Sequence, residues 1–198
     1  KNGKKLWENS YTLNYSSVIN SLFIFGENRI INVGYKLIPD KKDETSFEGL
    51  EGVNNSVQKI QAWVFDMDTL GVKNNEYVFR GDRSESGIKI MENSQSDIKV
   101  LANLNSFNKG EEDISILTFD ANGTIKNTIS LIEKGNQTGS SFVDRSGEGM
   151  VIIGEVYSKK YAGIDLLMTF YDQSGKLVWK NEYGGFGDDL GVDVIRSA

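Results

Sequence analysis

Four glycines frame this chain. Gly3, Gly71, Gly123 and Gly175 are spaced 68, 52 and 52 residues apart. The last three close similar stretches, "FDMDTLG", "FDANG" and "YDQSG", and each follows an alternating apolar run, "IQAWVFD", "ISILTFD" or "LLMTFYD". Asp113 and Asp165 stand seven residues before the turn aspartates Asp120 and Asp172, and Lys59 holds that place in the first copy, counted from Asp66. Ala102 and Gly154 each precede their turn glycine by 21 residues, whereas Gly34 precedes Gly71 by 37. The excess of 16 falls in Pro39–Lys59, a polar stretch without periodicity that reads as an inserted loop. Trp7 and Trp179 lie four residues after Gly3 and Gly175, in "NGKKLWENSY" and "SGKLVWKNEY". A repeat with one located insertion constrains the fold more than any single motif.

Within a copy the apolar residues alternate with period two, as in Ile114 and Ile116 against Ser115 and Leu117, and no long stretch keeps helical spacing. The last full copy divides into "SSFVDRS", "MVIIGEVYS", "DLLMTFYDQ" and "KLVWKNEY". The turn glycine between the last two supplies a positive φ, and the Asp before it can accept nearby backbone N–H groups. Four strands in about 50 residues is the pattern of a β-propeller blade. The fold expected is all-β: about three and a half four-stranded antiparallel blades, forming a single domain over residues 1–198 with an inserted loop at 39–59. The Trp7 segment takes the place of an outer strand and Val192–Arg196 that of an inner strand, both of a fourth blade without middle strands. Propellers need at least four blades, so part of a larger ring is expected.

"YGGFGDDLGVDVIRSA" resembles the opening of the bacterial β-propeller repeat that begins Gly-Gly-x-Gly-x-Asp. Gly184, Gly185, Gly187, Asp188 or Asp189, and the strand Val192–Arg196 match it. "YDQSGKLVW" is similar to the Trp-docking stretch of quinone-dependent dehydrogenase propellers and their non-enzymatic scaffold relatives, where Trp locks adjacent blades. Trp7 and Trp179 match, but Asn75 and Asn127 stand at the other two places. These resemblances imply a bacterial secreted or cell-surface protein.

The chain has no His and no Cys, which removes thiol nucleophiles, thiolate metal sites, Ser-His-Asp catalysis and the usual pH switch. The net charge is −6 with scattered Lys and Arg, so a nucleic-acid partner is not expected. The apolar runs are too short to span a bilayer as helices, so no membrane insertion is expected.

The individual motifs favour structural readings. "DMD", "DAN" and "DQS" resemble the start of calcium loops, but Gly123 follows Asp120 by three and no suitable Glu completes the loop. Asp188 and Asp189 could supply half of an acid/base pair, but fit better as turn caps. "GGFG" has no following helix to complete an anion site. Arg80–Asp82 spells a short adhesion-like "RGD" triplet. Trp7, Trp63 and Trp179 could stack on sugars, with inter-blade packing preferred for Trp7 and Trp179. No catalytic, cofactor or metal residue is assigned. The expectation is a non-catalytic scaffold or ligand-recognition module with a protein or glycan partner, the rest of the propeller lying in the same or another chain. The alternative is part of a propeller enzyme, quinone-dependent or carbohydrate-active, with catalytic residues outside this chain.

Overall fold

A computed structural model describes residues 5, 8, 10, 16–39, 58–79, 84–92, 97–108, 111–120, 124–131, 135–145, 147–158 and 162–197. Twelve strands form three four-stranded antiparallel sheets, with no helix among the described residues. Blade 1 contains β1 (Ser17–Phe25), β2 (Arg29–Pro39), β3 (Gln58–Asp68) and β4 (Lys73–Phe79). Blade 2 contains β5 (Glu85–Glu92), β6 (Ile98–Asn108), β7 (Glu111–Phe119) and β8 (Ile125–Leu131). Blade 3 contains β9 (Gln137–Asp144), β10 (Gly149–Ser158), β11 (Gly163–Asp172) and β12 (Leu177–Tyr183). Each sheet keeps its strands in chain order, so every blade is a meander. The all-β expectation holds, and the blades are not closed into a ring.

The repeat extends to the irregularities. In all three blades the first strand bulges against the second, leaving Asn20, Ile88 and Ser140 without an opposite residue. The fourth strand bulges against the third at Asn74, Lys126 and Val178. A bulge sharpens local twist, and at these recurring positions it gives the blades a common shape.

Alternation places one apolar face of each sheet against its neighbour. Ile31, Val33 and Val64 of blade 1 form one core with Ile90, Val100, Ala102, Leu117 and Phe119 of blade 2. Leu101, Ile114 and Ile116 of blade 2 form the next core with Phe142, Ile152 and Leu167 of blade 3. Trp63, Phe65 and Met67 make a third cluster with Ile30 and Val78. They occupy the positions that in blades 2 and 3 face the preceding blade. First strands lie against one another at the hub, β1 on β5 and β5 on β9.

The hub contact repeats residue by residue. A Cβ on Gly87 would run into Val33 Cγ2 and stand 3.1 Å from the Gly34 carbonyl oxygen. Gly139 faces Leu101, and Gly191 faces Ile153 and the Gly154 carbonyl in the same way. Gly191 belongs to the stretch after β12, which lies on blade 3 where a further first strand would lie. Val192–Arg196 therefore lies at the inner position expected of it, but among the described residues it joins no sheet.

Two details of the sequence reading are corrected. Pro39 pairs with Gln58, and Lys59 lies within β3, so the insertion is confined to 40–57, at the β2–β3 connection. The first turn aspartate is Asp68, not Asp66. Asp68 Oδ1 accepts the N–H groups of Leu70 and Val72 at 2.9 and 2.8 Å, as Asp172 Oδ1 accepts those of Ser174 and Lys176. The equivalent of Asp113 and Asp165 is then Gln61 rather than Lys59. Gly71 and Gly175 have φ of 82° and 81°, as a D-x-x-G hairpin requires. Gly3, Trp7, Gly123, the Arg80–Asp82 triplet and the body of the insertion lie outside the described residues.

Candidate functional site

Two polar rows recur around the hub. The first uses the residue after the first-strand bulge, which is Ser21, Lys89 and Ser141 in the three blades and Asp193 in the added stretch. Lys89 Nζ donates to Ser141 Oγ at 2.6 Å and also to Asp193 Oδ1. Ser141 Oγ donates to Asp193 Oδ1 at 2.5 Å and accepts the Val194 N–H at 3.3 Å. The Lys89 and Ser141 hydrogen bonds hold the Asp193 carboxyl down at about 2. A serine beside a lysine invites a nucleophile–base reading. Here the lysine is paired with the Asp193 carboxylate, and both the lysine and the serine hold that carboxylate, so the row is a clamp on the last stretch of chain.

The second row links the third strand of one blade to the first strand of the next. Gln61 Nε2 donates to Glu85 Oε2 at 3.0 Å, deep in the protein. Asp113 and Gln137 hold the equivalent places at the next junction, and both are buried. Asp165 and Asp189 hold them at the third. Asp165 is 5% exposed and its Oδ1 meets no hydrogen-bond donor among the described residues. Asp189 Oδ2 accepts the Gly185 N–H at 3.1 Å, and the Asp189 N–H donates to the Ile164 carbonyl at 2.7 Å. Asp188 Oδ1 accepts the Ile164 N–H at 2.9 Å. Asp188 and Asp189 thus fold the glycine loop back onto blade 3, in the turn-capping role expected of them.

Nearby, Glu112 is raised above the ordinary carboxylate range, first by burial and then by the charge of Glu155. Among the described residues no group of three or more His, Cys, Asp or Glu side chains gathers around one point. An apolar cleft of about 470 Å³ opens between blades 1 and 2, lined by Ala62, Val64, Tyr77, Phe79 and Phe119. At the next junction Ile114 and Ile116 replace Ala62 and Val64, and Ile129 packs against the Gly175 turn.

The two described tryptophans sit in different surroundings. Trp179, on the edge strand of blade 3, packs against Phe170 of its own sheet at 5.9 Å between ring centres and is partly exposed. Trp63 is the buried one, stacked on Phe65 at 4.3 Å. No protein-family model matches the chain, and comparison with curated proteins finds no significant relative.

Both polar rows escape a reading of local motifs, because their members lie in different blades. Their signal is arithmetic. Steps of 52 residues from Gln61 reach Asp113 and Asp165, and the same steps from Glu85 reach Gln137 and Asp189.

Proposed function

We propose that this chain is a non-catalytic β-propeller-type scaffold or recognition module of a bacterial secreted or surface protein. One observation carries the reading. The blades stack through a repeated hub contact that continues, in register, into a segment at the first-strand place that joins no sheet among the described residues. Such a stack is a piece of ring architecture, and further blades from the same or another chain complete it. The resemblance of Gly184–Asp189 to the Gly-Gly-x-Gly-x-Asp opening supports the same assignment.

Recognition is assigned to the rim that carries the 40–57 insertion. The repeat does not require the insertion, and loops on a rigid scaffold commonly carry binding. Protein and glycan are the partner classes this reading allows. A glycan array and a peptide-display screen, each run on the chain with and without residues 40–57, test it. Binding that disappears with the insertion supports the reading. Binding unchanged by the deletion moves the site elsewhere, and turnover of a sugar or alcohol substrate replaces it with an enzyme.

A further inference from the structure

We propose that the third blade junction is a calcium site, with Asp165 and Asp189 as its carboxylate ligands. The comparison among junctions is the ground. At the first, an amide faces an acid, Gln61 to Glu85 at 3.0 Å. At the second, an acid and an amide again share the equivalent positions, as Asp113 and Gln137. At the third both positions are acids. A Cβ on Gly184 would collide with Asp165 Oδ1 and stand 3.0 Å from Asp189 Oδ2, so the two carboxylates converge on one small space that only glycine leaves open.

Asp165 makes this arrangement costly without a counter-charge. Its side chain is buried and Oδ1 receives no donor among the described residues. A buried carboxylate is tolerated when it is paired, protonated or bound to metal. Asp189 cannot relieve it, because two carboxylates sharing a site repel. A hard divalent cation relieves both, and an all-oxygen donor set selects calcium over transition metals. Ligands beyond the two carboxylates come from backbone carbonyls and water. With so few charges the affinity belongs to the weak class, on the order of 10⁻⁴–10⁻³ M. The cation would fasten the Gly184–Asp189 loop to β11, and with it the segment that lies on blade 3.

The test is thermal unfolding of the chain in about 10 mM calcium chloride against sodium chloride of equal ionic strength. The wild type is expected to gain about 3–5 °C, and Asp165→Asn and Asp189→Gln to gain nothing. Asp189→Gln rebuilds the acid–amide pair of the second junction, so it should melt above the wild type when calcium is absent. Because Asp189 is on the exposed segment, this variant keeps the test decisive if Asp165→Asn fails to fold. No calcium response in the wild type overturns the proposal, as does an equal response in Asp189→Gln.

Discussion

Gly87 marks the tightest approach between blades. Val33, the side chain it faces, is fully buried and β-branched, so it has little room to turn aside. Gly87→Ala is expected to cost about 1–3 kcal/mol in urea unfolding. Gly185→Ala, with open space around it, should stay within about 0.5 kcal/mol of wild type. Glu112 offers a second residue-scale test. Burial, then Glu155, raises its folded pKa. The native state therefore holds the proton more tightly than the unfolded chain, and stability falls as pH rises through the folded value. The penalty is absent below the unfolded value of about 4.3 and complete above the folded one. Glu112→Gln should be more stable than wild type at pH 7 and level with it near pH 4, as read by urea melts at the two pH values.

Among the elements, the strands were the most legible part of the chain. Period-two alternation and D-x-x-G turns placed β9 to β12 within a few residues, because both signals are local. The first turn was misplaced by two because "FDMD" offers Asp66 and Asp68 on the same side of one strand. Only Asp68 has a glycine three residues on. Asp68→Ala should cost about 1–2 kcal/mol through the loss of two backbone N–H acceptors, measured by chemical denaturation. The packing of Trp179 was not legible, since a spacing shared with Trp7 says nothing about what stands opposite either ring. Nor was the calcium pair, whose members are 24 residues apart and meet only when β11 and the next first-strand segment are side by side. Burial also ranks the elements. Ile116 in β7 is fully buried at the second junction, and Ile125 in β8 is 43% exposed. Ile116→Ala should cost about 2–5 kcal/mol and Ile125→Ala less than about 1.

At the scale of the molecule, the hub is held by side chains that reach across blades, and its last member is attached by the Lys89–Ser141–Asp193 clamp. Asp193 has a lowered folded pKa, so its contribution is present above the unfolded value of about 3.9 and lost as pH falls through about 2. Amide hydrogen exchange at Val194 reports it directly. Asp193→Asn should speed that exchange about 3–10-fold at pH 7, and molar salt should do part of the same. The two ends of the stack are not equivalent. Where blades 2 and 3 and the last segment present glycine to the preceding second strand, blade 1 presents Ile19, 48% exposed. A molecule whose leading edge copied its trailing edge could add to itself without limit, each copy seating on the next in an open filament. The bulk of Ile19 denies that fit.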